Sequence, residues 1–145
     1  MGLAETLTYL PVDHSDRQTI IGMYTRLMEP LRRLQHPSGM LNNVLDIQGS
    51  YLEFTATCMM GYSMARGIRL GFLSDDFRPA IDLAWQGVSE RVDEVGNVVD
   101  ACASTGVQNN VRDYLDRPAI FGFDDRSGGM ALWFAVEMER LERGI

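Results

Sequence analysis

The stretch Phe121–Ala135, FGFDDRSGGMALWFA, gathers two aspartates, an arginine, a serine and two glycines ahead of an apolar run. Four kinds of chemistry use such residues. A glycosidase needs two carboxylates facing each other across a sugar, several ångströms apart. Asp124 and Asp125 are adjacent on one segment and fit that poorly. A calcium-type loop needs further oxygen ligands at regular spacing, and the segment does not supply them, so no metal is expected. Two readings stay open at this point. Free N–H groups at a helix start, together with Arg126, Ser127 and Gly128, suit an anion such as a carboxylate. Equally, Ser127 or Asp125 caps a helix and the acids complement its positive end.

A second candidate group is Glu53, Thr55 and Thr57 in LEFTATC. Hydroxyls at such a place either cap the helix, bond the backbone or meet a ligand. Arg66 and Arg69 stand toward the end of the same helix, where cations favour the dipole. His14 and His36 have no cysteine, serine or acid at a telling spacing and read as surface histidines. Tyr51, Tyr62, Trp85 and Trp133 could stack on sugars, but their helical spacing assigns them to the core. Cys58 and Cys102 are isolated, outside any CxxC or Cys/His pattern, and read as reduced thiols in a cytoplasmic protein. All thirteen basic residues are arginine, so no lysine can form a Schiff base or serve a P-loop. A net charge of −7 argues against nucleic acid and anionic membranes as partners. No apolar run approaches the roughly 20 residues that cross a bilayer. MGLAETLTYLPVD lacks the basic start and cleavage site of a signal peptide.

Mostly helical elements must position these residues. A short helix ends at Pro11. A second begins at Ser15 or Asp16, carries Ile20, Tyr24, Leu27, Met28, Leu31 and Leu34 at helical spacing, and meets a kink or a lost bond at Pro30. HPSGMLNNVLD reads as a turn and a short extended piece. The next helix is expected from Ser50 to about Leu70; its small residues and sparse charge indicate burial nearly all round. Gly71 stops it. Ser74 or Asp75 starts another, with Ile81, Ala84, Trp85 and Val88 inward. Gly96-Asn97 and the following valines suggest a turn and a strand. About twenty weakly patterned residues then lead to a last helix from Ser127 to about Arg143, with Met130, Trp133, Phe134, Val136, Met138 and Leu141 on its apolar face. The expectation is a mainly α chain of five helices in hairpins with one small β excursion, residues 1–145 forming a single domain.

LQHPSGMLNNVLD, SYLEFTATCMMGYSMARGIRLGFLSDDF, AWQGVSERVDEVGNVVDACASTG and FDDRSGGMALWFAVEME each resemble a block of the unsaturated rhamnogalacturonyl hydrolases, glycoside hydrolase family 105, in the family's order. The likeness spans about Leu7 to Leu141 and extends to the unsaturated glucuronyl hydrolases of family 88. It implies part of an α/α toroid of six helical hairpins, resembling the family's C-terminal half. It also implies removal of a Δ4,5-unsaturated uronic acid from an oligosaccharide by an aspartate that protonates a vinyl ether, without cofactor or metal. In the family that aspartate, its neighbouring aspartate and an RGNGW-like segment precede the region this chain resembles. No catalytic residue is therefore carried over. What the resemblance implies for this chain is a fragment lacking that aspartate. Asp124, Asp125, Arg126, Ser127, Gly128, Glu53 and Thr55 remain as substrate-binding candidates, since the matching Gly-rich block lies at the mouth of the family's cleft. Half a toroid leaves apolar flanks open, so a homo-oligomer or a partner chain is expected to cover them. The alternative is a non-catalytic helical interaction or carbohydrate-binding module.

Overall fold

The computed structural model describes residues 1–145. Helix α1 (Gly2–Tyr9) stops at Leu10, whose extended backbone is the one Pro11 demands of its predecessor. Helix α2 (Arg17–Arg33) follows Asp16, whose side chain makes no capping hydrogen bond. Pro30 falls in its final turn, and the chain stays helical to Arg33. Strands β1 (Leu41–Asn42) and β2 (Leu52–Glu53) then pair antiparallel, with Leu41 opposite Glu53 and Asn42 opposite Leu52.

Helix α3 (Phe54–Arg69) begins later than Ser50. The Ser50 hydroxyl is spent on Val44 and Ile47 inside the β1–β2 loop, and Glu53 caps the helix instead. A 3-10 turn (Asp75–Phe77), capped by Ser74, leads into α4 (Arg78–Ser89). Strands β3 (Val98–Cys102) and β4 (Ala119–Gly122) form a second antiparallel ribbon, and the register shifts between Val99 and Ala101, where Asp100 takes a left-handed φ of 64°. Between them lies the short helix α5 (Val111–Leu115), capped by Asn110. The expected unpatterned stretch thus holds a strand and a sixth helix. Helix α6 (Asp125–Arg143) ends at Gly144 in the left-handed conformation.

The helices form two rows. Helix α3 lies in the middle of one, between α1 and α6, and is backed by α2 and α4. Its small residues make this possible. The Phe134 ring occupies the place where a side chain on Gly61 would stand, and the Tyr24 ring and hydroxyl close over Gly67. Tyr24 donates its hydroxyl to the Ser63 carbonyl at 2.7 Å and meets Phe72 edge-on at 5.2 Å. Trp85 of α4 meets Phe134 edge-on at 5.3 Å. Phe54, Cys58, Met64, Ile81, Ala84 and Phe134 anchor the core. Leu27, Leu34, Trp133 and Val136, read as inward-facing, are instead exposed, and the α2 and α6 edges of the assembly have no neighbour.

Candidate functional site

Helices α3 and α6 run in the same direction, because contacts climb both together: Gly61 meets Phe134, and Arg69 meets Glu137. Glu53 and Asp124, the residues just before them, therefore stand at one end of the molecule. The β3–β4 ribbon spans that end. Its Cys102 N–H donates to Glu53 at 3.0 Å, and its Val98 pairs with Gly122, just upstream of Asp124.

Glu53 is almost fully buried and accepts from four donors: the Thr55 N–H and Thr55 hydroxyl, each at 2.8 Å, and the N–H groups of Ala56 and Cys102. A carboxylate used only as an acceptor ties β3 to the start of α3. Thr57 extends the tie, donating to the Glu53 carbonyl at 2.7 Å and accepting from the Leu41 N–H at 2.9 Å. The Tyr51 phenol beside it is driven above its ordinary range, by burial first and then by Cys102 and Glu53.

At α6 the cap is Asp124, not Ser127 or Asp125. Its carboxylate takes the Ser127 N–H at 2.9 Å and the Ser127 hydroxyl, and its carbonyl takes the Gly128 N–H at 3.0 Å. Arg126 reaches back to the same carboxylate at 3.4 Å. The Ser127 hydrogen bond leads in holding the Asp124 carboxyl below its usual range. Ser127 is fully buried, whereas Asp125 is exposed and makes no side-chain hydrogen bond. The helix's own carboxylate thus fills the position an external anion would take.

Only part of the predicted set converges. Glu53 and Thr55 line a mainly apolar groove of about 490 Å³ with Leu31, Leu41, Ala56 and Cys102, and none of Asp124–Gly128 borders it. The largest concavity, a polar cleft of about 630 Å³ with Arg33, His36, Asn42, Asp46 and Gln48 on its walls, lies across the β1–β2 ribbon.

Sequence reading also missed a charged cluster between α1, α3 and α6. Glu137, fully buried, accepts from Arg66 at 2.7 Å, Arg69 at 2.9 Å and Arg140 at 3.2 Å. Arg66 pairs in addition with Glu5, stacks 4.7 Å over Tyr62, and shares Glu5 with the Tyr62 hydroxyl. Burial pushes the Glu137 carboxyl up, but the bonds from Arg66 and Arg69 outweigh it and hold it below its usual range. The available signal was a lone acid in an apolar run, WFAVEME, and two arginines in an otherwise uncharged helix. The helix dipole alone does not account for Arg66 and Arg69.

The sequence model of Glycosyl Hydrolase Family 88 matches residues 1–142. The chain is 25% identical over 145 residues to the unsaturated rhamnogalacturonyl hydrolase YesR of Bacillus subtilis (strain 168), covering 99% of this chain and 40% of that protein. A solved glycoside hydrolase of family 105 from C. acetobutylicum ATCC 824 superposes with a TM-score of 0.85 at 25% identity, over 96% of this chain and 42% of that one. A possible member of family 105 from Salmonella enterica superposes with a TM-score of 0.88 at 20% identity, over 99% and 37%. The fold is thus helical hairpins forming part of an α/α toroid, and the chain spans about two fifths of the length of these relatives.

Proposed function

The chain belongs to glycosyl hydrolase family 88, and from that premise we propose that it serves the removal of an unsaturated uronyl residue from an oligosaccharide. The observation that carries this reading is the family match across nearly the whole chain, supported by the likeness to an unsaturated rhamnogalacturonyl hydrolase. It favours the hydrolase reading over a free-standing interaction or binding module.

In this proposal the chain contributes a wall of the sugar site, and the acid that protonates the vinyl ether comes from the complementary part of the toroid. The local chemistry supports that division. Glu53 is committed to four donors, and Asp124 to its own helix. A general acid must hold a proton at working pH, and a carboxyl held low by its cap does so poorly. The proposed sugar contacts are Thr55 at the groove, held in place by Glu53, with Asp125, Arg126 and Gly128 at the head of α6. A homo-oligomer or partner chain covers the open flanks. Free Cys58 and Cys102 support a reducing, cytoplasmic setting. No helix is long and apolar enough to cross a membrane.

The test uses an unsaturated rhamnogalacturonyl disaccharide, with turnover followed as loss of the conjugated uronate's ultraviolet absorbance and binding by calorimetry. The purified chain is expected to bind the disaccharide without turning it over. Turnover abolished by Asp124→Asn or Asp125→Asn would place the acid in this chain and overturn the division of labour. A folded chain that does not bind would remove the substrate reading.

A further inference from the structure

The polar cleft beside the β1–β2 ribbon is the largest concavity of the molecule; Gln35 and Ser50 on its wall are bonded within the fold, whereas Arg33, Asn42, Asp46 and Gln48 are not. Residues directly opposite in a strand pair share a face, and neighbours along a strand alternate. Leu41 and Glu53 thus form one face of the ribbon, toward the groove, and Asn42 and Leu52 form the other, toward the cleft. The ribbon is a thin wall between two concavities, and Asn42 borders both.

Asn42 is the telling residue. It is only 8% exposed, yet its side-chain amide meets no protein partner. Its polar atoms are not sealed from solvent but open onto the cleft, so water bonds them there and a ligand hydroxyl can take that water's place. Around it, the Arg33 guanidinium, the Asp46 carboxylate and the Gln48 amide also make no hydrogen bond or ion pair within the protein, and His36 engages only one ring nitrogen, with Ser38 at 2.9 Å. One unpaired cation, one acceptor and two amides set around open volume match a ligand that is rich in hydroxyls and carries a carboxylate. A lone arginine opposed by an aspartate is poor for a phosphate-rich ligand, which calls for clustered cations.

We propose that this cleft is a second saccharide subsite, holding uronate-bearing sugar residues joined to the one held at the groove, with Arg33 on the carboxylate and Asn42, Asp46 and Gln48 on ring hydroxyls. The assignment rests on the substrate class proposed above and extends it to a longer oligosaccharide. It makes the β1–β2 ribbon a partition that the sugar chain passes over.

The test is calorimetric binding of an unsaturated galacturonic acid trisaccharide, which ends in the Δ4,5-unsaturated uronyl residue, compared with the unsaturated disaccharide, to the intact chain and to Arg33→Ala and Gln48→Ala. Both positions are exposed, so neither change threatens folding. The trisaccharide should bind about tenfold more tightly than the disaccharide, an increment suited to one charge-assisted contact. Each variant should lose most of that increment while keeping disaccharide affinity, and Asp124→Asn should retain it. In amide NMR, the Asn42 and Gln48 side-chain signals should shift with the trisaccharide alone. Equal affinity for both sugars, or an increment unchanged in both variants, would overturn the subsite while leaving the disaccharide reading intact. Failure of the disaccharide itself to bind would overturn both.

Discussion

Glu137 and Asp124 are both carboxylates bound by donors, and their surroundings give them different weights. Glu137 is 1% exposed and receives three arginines, one of which, Arg66, is itself nearly buried. Removing one partner of a buried ion pair strands the other, at a cost of about 3–5 kcal/mol. Glu137→Ala should therefore lower unfolding free energy in urea by about 3 kcal/mol, with Glu5 retaining part of the Arg66 pairing. Asp124 is a cap near the surface. Asp124→Ala should cost about 1 kcal/mol, and Asp125→Ala, which breaks no hydrogen bond, should stay within about 0.5 kcal/mol of zero. The same pair sets an acid dependence. Each ionises more readily folded than unfolded. The stability they confer is complete above the ordinary carboxylate range, about pH 4, and is lost as pH falls through their lower folded values. A thermal-melt series should show wild-type stability falling in that acid window, and the double variant Asp124→Asn, Glu137→Gln should show a flatter slope there from a lower starting point.

Helix α3 shows what periodicity can and cannot reveal. Its small residues announced close packing, and the structure supplies the neighbours: Phe134 over Gly61, Tyr24 over Gly67. Alanine gains about 1 kcal/mol over glycine within a helix, while overpacking a filled core costs about 1–3 kcal/mol. With the added carbon falling against the Phe134 ring, well inside van der Waals contact, the overpacking cost lies toward the top of that range, and Gly61→Ala should be net destabilising by up to about 2 kcal/mol in chemical denaturation. Gly129→Ala, in α6 with open space around it, should instead raise stability by about 0.5 kcal/mol or more. The long helices were legible because burial repeats with the helical turn. The start of α3 was not: serine is a favoured cap, but Ser50 serves the loop, and Glu53, an uncommon cap, takes its place. Helix α5 and strand β4 are too short for a period to register. At the candidate site, Glu53 and Thr55 stood out from their place at a helix start, and the structure sets both on the wall of the groove. The Asn42–Arg33 cleft did not, since its residues come from the end of α2, the two-residue strand β1 and the loop after it, and only the fold brings their side chains around one volume. Glu137 was also missed, because its partner Arg66 is 71 residues away.

At the scale of the molecule, the two open edges govern behaviour in solution. On the α2 edge Met23 and Leu27 stand 48% and 45% exposed; on the α6 edge Leu132 and Val136 stand 63% and 40% exposed. Apolar residues aligned along one edge of a helical layer differ from scattered surface leucines, because together they form a patch that a neighbour can bury. In a toroid each edge packs against the opposite edge of the next hairpin. A second copy rotated about the toroid axis would set the α2 edge of one chain against the α6 edge of the other, and the rotation repeats that contact at the second seam. Closure makes the two contacts interdependent, so one charge placed in a seam appears at both. The chain should therefore be dimeric by multi-angle light scattering at micromolar concentration. Leu27→Glu and Leu132→Glu should each give a folded monomer, because both side chains are already exposed in the single chain and contribute little to its own core. Substituting Val107, which is exposed away from both edges, should leave the mass unchanged. A wild-type monomer would overturn the pairing of copies through these edges. A dimer unaffected by either glutamate would mean that the copies meet through another surface.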